Sequence, residues 1–343
     1  MKIVCDNKVR FLGDVFHGIA NVEYYPGSEI DKTKVKDADA LLVRTRTQCN
    51  ENLLSGSSVK FIGTATIGFD HIDTNYCEKN GIFWTNAPGC NSGSVCQYII
   101  SVLHCLSKYY GFLLNKKTIG IIGAGHVGSK VIKASKILGM NVLVNDPPLQ
   151  KLGNKDYDFC DIDYLLKNSD IVDIHVPFNK DGEYSTNHLV NSEFISKMKK
   201  NSIIINSSRG PVADNLELLE ALKHEKILTA VLDVWENEPK INIELLQRVF
   251  LATPHIAGYS VDGKANATMQ IVRQLSKFFN LNLNNWTPSV KGYDGFMLNY
   301  DLITDYEQVI KSYNVLRDSE KLKTSPEKFE WFRENYPTRR EQL

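Results

Sequence analysis

The sequence predicts an α/β protein made of two doubly wound parallel-sheet domains followed by a small C-terminal α+β segment. Three observations carry that expectation. Two series of short apolar runs alternate with polar, helix-compatible stretches, a glycine-rich turn sits where the second series begins, and the composition changes after about residue 280. Strands separated by helical intervals imply parallel pairing, because a parallel neighbour is reached only through a long crossover. At 343 residues the chain also exceeds what one hydrophobic core ordinarily fills.

In the first series, Lys2–Cys5, Ala40–Arg44, Lys60–Ala65 and Gly81–Thr85 read as buried strands, too short for helices and bounded by turn residues. A long helix from about Ser92 to Lys108 follows. Its apolar stretch is interrupted by Gln97, Ser101 and His104 and is too short to span a bilayer. The second series comprises Thr118–Ile122, Asn141–Val144, Asp170–Val176, Ser202–Asn206, Leu228–Val234 and Val249–Ala252. Between its strands, Asp214 with Glu217 three residues on forms a helix start ahead of Leu218, Leu219 and Leu222. A helix over Gly263–Phe279 closes the pair of domains, and an Asn-rich, then Tyr-rich and charged tail begins near Leu281. These breaks set boundaries at 1–92 plus 257–280, 93–256 and 281–343.

Hydrophobic residues make up 43% and charged residues 23%, as in ordinary globular proteins. Lys+Arg and Asp+Glu both number 40, so no net field recruits nucleic acid or a membrane surface. The N-terminus reaches Asp6 too early for a signal peptide. Seven scattered cysteines without a Cys-x-x-Cys pair point to reduced thiols in the cytoplasm and to no metal site.

Gly123-Ala124-Gly125-His126-Val127-Gly128 matches G-x-G-x-x-G, with a strand running in and an amphipathic helix running out. In such a turn the first Gly makes the bend, the second lets backbone approach a pyrophosphate, and the third packs helix on strand. The pyrophosphate lies over the helix N-terminus, where His126 and Val127 begin the first turn. Asp146, at the end of the next strand, suits the adenine ribose hydroxyls. Its charge disfavours a 2′-phosphate, which argues for NAD over NADP.

In open α/β sheets ligands bind beyond the carboxyl ends of the strands. Arg209 follows Ser202–Asn206, Glu238 follows Leu228–Val234, and His255 follows Val249–Ala252. A guanidinium to grip a carboxylate, an imidazole to move a proton and a carboxylate to orient it suit the oxidation of a 2-hydroxy acid. Arg44 and Arg46, flanking Thr45 at a strand end, are candidates for holding an anionic substrate group, with Arg46 facing the other way if the strand continues.

Ile205–Val212, Val231–Pro239 and His255–Gly258 resemble the signatures of the D-2-hydroxyacid dehydrogenases. Phe61–His71, Ala87–Asn91, Ala257–Ala265 and, more faintly, Tyr336–Glu341 resemble one branch of that family, whose substrate is a phosphorylated 2-hydroxy acid. The resemblance implies a flavodoxin-like substrate domain, a Rossmann domain for NAD, and a C-terminal segment that makes a homodimer. It implies that Arg209, Glu238 and His255 are catalytic. NAD contacts would come from Asp146, Val176 (through its backbone), Ser207, Ser208, Arg209, Asp233 and Gly258 beside the glycine turn, and substrate contacts from Thr45, Thr66 and Tyr259. Two rivals stand beside it: a dehydrogenase of glycerate or 3-phosphoglycerate, and a non-catalytic NAD-sensing protein of the same fold.

Overall fold

A computed structural model describes residues 1–337 and 339–343. They form two compact units, Met1–Asn91 with Ser260–Asp294 and Ser92–Tyr259 with Gly295–Leu343. The first holds a five-stranded sheet of β1 (Lys2–Asp6), β2 (Asn21–Tyr25), β3 (Ala40–Val43), β4 (Phe61–Thr64) and β5 (Phe83–Thr85). The order is β2-β1-β3-β4-β5, every pair parallel, with the reversal between β1 and β3. β3 and β4 are buried throughout, as their unbroken apolar runs require. The helix Val261–Phe279 covers one face, setting Ile271, Val272 and Leu275 against Ile3, Leu42 and Phe61.

β2 escapes the sequence reading for a physical reason. It is an edge strand with no buried residue and with Asn21 and Glu23 in its run, so it shows no apolar block. Glu23 pairs with Lys2 on the neighbouring strand at 3.2 Å.

The second unit holds β6 (Thr118–Ile122), β7 (Asn141–Asn145), β8 (Ile171–Ile174), β9 (Ile203–Asn206), β10 (Thr229–Leu232) and β11 (Leu251–Ala252). Their order is β11-β10-β9-β8-β6-β7, again all parallel. Beyond β7 the next strand is reduced to one bridge, Val144 to Phe159. The order therefore reverses between β6 and β8, where the glycine turn and the residues after β8 emerge. Several strands end earlier than their apolar runs. β8 and β10 stop at Ile174 and Leu232, while β11 ends at Ala252 as expected, so Asp233–Glu238 and Thr253–Gly258 lie outside the ladder and are able to build a site.

Where an α+β segment is expected after Leu281, the described residues hold helices and turns and no strand: Tyr306–Ser312, Val315–Thr324 and Phe329–Glu334. Asp305 and Asn314 cap the first two through their side chains, and Val309, Val315, Leu322 and Phe329 supply the buried face. Gly295–Leu343 shares the core of the second unit. The three polar residues that interrupt the helix Ser92–Tyr110 explain how. Gln97, Ser101 and His104 lie on one face and donate to, or bond with, the carbonyls of Arg340 (3.0 Å), Tyr313 (2.8 Å) and Ile303 (2.7 Å). No helix among the described residues is long and apolar enough to cross a membrane.

Candidate active site

The glycine turn is shaped by the protein at two positions and left open at the third. Gly123 has φ +91°, and an added Cβ would overlap the His175 carbonyl. At Gly128 an added Cβ would overlap the carbonyl oxygen of Gly123. At Gly125 it would meet nothing within 4 Å. Gly125 also caps the helix His126–Ile137 without a side-chain acceptor, so the first-turn N–H groups face open space beside an exposed His126 and a half-buried Val127. This cradle fits a dinucleotide pyrophosphate.

Asp146 directly follows β7 with both oxygens already engaged. One accepts from the Ala124 amide inside the turn (2.8 Å), and the other caps the helix Pro147–Lys151 through Leu149 (2.9 Å). Asp146 therefore does start a helix, and each oxygen keeps a second lone pair for a ribose hydroxyl. Val176 is half-buried just after β8, behind a buried His175–Asp173 pair at 2.9 Å.

The three catalytic candidates leave adjacent parallel strands at the same edge: Arg209 after β9, Glu238 after β10, His255 after β11. Asn206 shapes the first loop, accepting from the amide (3.0 Å) and hydroxyl (2.8 Å) of Ser208 and donating to the Arg209 carbonyl (3.1 Å). Gly210 rests against the Trp235 carbonyl so closely that a Cβ would overlap it, which ties this loop to the one that carries Glu238. Among the described residues the Arg209 guanidinium donates to the Ser208 carbonyl (2.8 Å) and to no other acceptor, and no carboxylate pairs with it. An arginine kept half-buried and unneutralised suits an incoming anion. Ser207 is half-buried beside it.

His255 and Glu238 meet directly, Nδ1 to Oε2 at 2.8 Å, with one-third of the imidazole exposed (33%). The other carboxylate oxygen accepts from the Trp235 amide at 2.9 Å. Burial pushes the Glu238 carboxyl up, but the hydrogen bond and charge of His255, the Trp235 amide and the Arg333 charge outweigh it and hold the group below the ordinary glutamate range. An ionised carboxylate only accepts, so Nδ1 carries the proton and Nε2 is the atom left to gain or lose one.

A carboxyl with a lowered folded pKa adds stability that is present above its unfolded value and lost as pH falls through the folded one. The difference in Tm between wild type and Glu238→Gln is therefore expected to be present near about pH 6 and to shrink toward about pH 3. Thermal melts across that range check it.

His255 sits at φ +57°, a region that non-glycine residues occupy at a cost of about 1–2 kcal/mol. Surrounding bonds hold it there. The His255 amide donates to the Asp233 carbonyl (2.7 Å), and the Asp233 carboxylate accepts from the Thr253 hydroxyl (2.6 Å), the Ile256 amide (2.8 Å) and the Ala257 amide (2.9 Å). Asp233 is 1% exposed, and burial raises its pKa against the pull of those partners. Its carboxylate, expected as a cofactor contact, holds the His255 loop, Oδ1 accepting twice and Oδ2 once. Trp235 holds the same loop by donating Nε1 to the Thr253 carbonyl (3.0 Å), and Tyr98 bonds the Thr253 hydroxyl at 2.9 Å. Gly258 and Tyr259 follow, both half-buried.

In the first unit, Arg44 to Thr47 form a turn after β3, so strand alternation does not decide their directions. Arg44 is half-buried and donates to the Lys8 carbonyl (3.2 Å), while Thr45 and Arg46 are exposed. Thr66 donates its hydroxyl to the Gly68 carbonyl (2.8 Å) and meets Thr64 Oγ1 at 2.7 Å. Its proton is thus committed, Thr64 donates to it, and His71 Nε2–H donates to Thr64 at 2.9 Å. Burial lowers the His71 pKa, consistent with that neutral tautomer. Thr66 is left able to accept but not to donate.

Sequence reasoning missed Asn206, Tyr98, Thr253 and Trp235, and also Tyr336 and Arg339, because their roles depend on contacts made across long stretches of chain. The Tyr336–Glu341 resemblance was the one signal for the last two. Among the described residues no group of three or more His, Cys, Asp or Glu is placed to hold a metal.

Comparison with known proteins gives the class first. Residues 104–257 match the NAD-binding domain of D-isomer specific 2-hydroxyacid dehydrogenases. Among solved structures, D-lactate dehydrogenase from Aquifex aeolicus, in complex with NAD and lactic acid, superposes with a TM-score of 0.64 at 28% identity. The match covers 81% of this chain and 95% of that one. D-2-hydroxyisocaproate dehydrogenase (TM-score 0.67, 22% identity, 85% and 100% covered) shares the fold.

The particular branch follows from closer relatives. Erythronate-4-phosphate dehydrogenase of Bacteroides fragilis is 46% identical over 343 residues, spanning all of this chain and 97% of its own length. The Escherichia coli protein of that name is 39% identical over 350 residues, spanning 99% and 92%. The chain belongs to the erythronate-4-phosphate dehydrogenase family of D-2-hydroxyacid dehydrogenases.

Proposed function

We propose that the protein oxidises 4-phospho-D-erythronate to 2-oxo-3-hydroxy-4-phosphobutanoate with NAD, as a step of pyridoxal 5′-phosphate (vitamin B6) biosynthesis. One observation carries the reading: an oriented His255–Glu238 pair (2.8 Å) shares a sheet edge with an unneutralised Arg209, beside a dinucleotide cradle. Relatives of that name align over nearly the whole chain, which supports the choice of substrate.

Arg209 holds the substrate carboxylate through its planar fork. His255 Nε2 takes the C2 hydroxyl proton in oxidation and returns one to the ketone in reduction. Glu238 keeps Nδ1 protonated and offsets the imidazolium charge. NAD, when bound, accepts the hydrogen and two electrons from C2. The first-turn amides at Gly125–Val127, with Asp146, Val176, Ser207, Ser208 and Gly258, hold the cofactor. Asp233 serves it by fixing the loop. Thr45, Thr66 and Tyr259 contact substrate, and Arg44 and Arg46 meet its phosphate. Residues 281–343 make a homodimer, and the enzyme works in the cytoplasm.

NADH formation with 4-phospho-D-erythronate, D-glycerate, 3-phosphoglycerate and D-lactate, with and without an added 2-oxo acid as electron acceptor, tests the assignment. The phosphoerythronate trace should rise fastest. A flat trace in both conditions overturns the substrate, and binding of NADH without turnover of any acid returns the reading to a sensor. Replacing Arg44 and Arg46 together should weaken phosphorylated erythronate selectively. Equal effects on the unphosphorylated acid remove the two arginines from the phosphate site.

A further inference from the structure

The Thr253–Gly258 loop is held on its N–H side by Asp233 and on its carbonyl side by Trp235 and by a residue from the far end of the chain. Arg339 donates Nη2 to the carbonyl of Ala257, two residues after His255, at 2.5 Å. The same nitrogen reaches the Ser94 carbonyl at 3.3 Å, and Nη1 donates to the Tyr336 hydroxyl at 2.9 Å. The guanidinium stacks 3.9 Å from the centroid of Tyr313, and the residue is only 8% exposed. Tyr336 and Tyr313 both donate to Asp318, at 2.7 and 3.0 Å, so the Tyr336 oxygen is turned to accept from Arg339. The Tyr336 ring also meets that of Tyr259 edge-on at 5.9 Å.

As a fastener for a chain terminus this arrangement is expensive. Burying a guanidinium that reaches its nearest carboxylate, Asp318, only through the Tyr336 hydroxyl is costly, and its Nε has no hydrogen-bond partner among the described residues. An apolar side chain would secure the tail at less cost. What the arginine adds is a rigid, charged donor aimed at one carbonyl of the catalytic loop.

We propose that Arg339 is a positioning residue for His255, acting through the Ala257 carbonyl. The inference rests on the reading of His255 as the acid–base group. Asp233 fixes the amides of Ile256 and Ala257 but not the next peptide plane, which carries the Ala257 carbonyl and the Gly258 amide; Arg339 fixes that plane, two residues from a histidine already in a strained left-handed conformation. Without it the imidazole drifts, and small misplacements of a reacting group cost rate far more than cofactor affinity.

Arg339→Ala is therefore expected to lower kcat on the order of 10–100-fold, with the dissociation constant of NADH changed by less than about threefold. Millimolar guanidinium should restore part of kcat where sodium or tetramethylammonium at equal concentration does not. Tyr336→Phe, which removes one partner of Arg339 and little volume, should give a smaller fall in kcat, in excess of any loss of folded protein from the bonds to Arg339 and Asp318 that it removes. In the His255→Asn background Arg339→Ala should cost nothing further. Histidine-selective ¹⁵N NMR supplies a readout that needs no turnover: the His255 signal, identified by its absence in His255→Asn, should move in Arg339→Ala. A wild type inactive on every acid with a moving His255 signal defeats the functional reading and leaves the positioning role standing. An unmoved signal, an undiminished kcat, or a loss that follows the unfolded fraction and is not rescued defeats the positioning role.

Discussion

His255→Asn should reduce kcat/KM for 4-phospho-D-erythronate by about 10²–10⁴-fold, the range supplied by a positioned acid–base group. Asparagine is the right replacement here because the backbone at 255 is left-handed (φ +57°), and Asn adopts that region more readily than Ala or Gln. The variant keeps the loop bonds of Asp233, since they use the backbone amides of residues 255, 256 and 257 and the Thr253 hydroxyl, and not the His255 side chain. NADH titrations followed by fluorescence should therefore match wild type. A kcat/KM within about threefold of wild type would remove His255 from the proton path.

Asp233→Ala should be the most destabilising change in the site, by about 3–5 kcal/mol, read as a lowered urea midpoint. The carboxylate is buried and serves three donors, and its removal leaves two backbone amides and a hydroxyl without their acceptor in a space too tight to hydrate freely. The Thr253 hydroxyl also bonds Tyr98, so the loss reaches the helix Ser92–Tyr110. Activity should fall with it, because the loop that holds His255 left-handed is released. A midpoint shift below about 1 kcal/mol in free energy would show that Trp235 and Arg339 hold the loop unaided.

Much of the fold is legible in the residues, and the reasons are local. β6, with five apolar or small residues followed by Gly123, could hardly be anything but a buried strand feeding a tight turn. The crowding at Gly123 and Gly128 agrees with the roles that the spacing suggests. Asp214 caps its helix through Leu216 and Glu217, as its position ahead of an apolar stripe implies. β2 is not legible, because this edge strand has no buried residue and its polar residues hide the run. The helical character of the C-terminal segment is obscured similarly: its apolar residues are sparse and gain meaning only against the second unit's core.

The site divides along the same line. Residue chemistry and strand-end position by themselves select Arg209, Glu238 and His255, since sheets of this kind present strand ends to ligands and few residue types perform the chemistry. Tertiary structure alone decides that Glu238 meets Nδ1 and not Nε2, that Asp233 serves the loop, and that Gln97, Ser101 and His104 receive the carbonyls of a distant tail. A hydrogen bond between residues 17 apart, or 243 apart, leaves no periodic trace in the chain. Such bonds depend on where the folded backbone places each donor, and that becomes defined only when the core has packed.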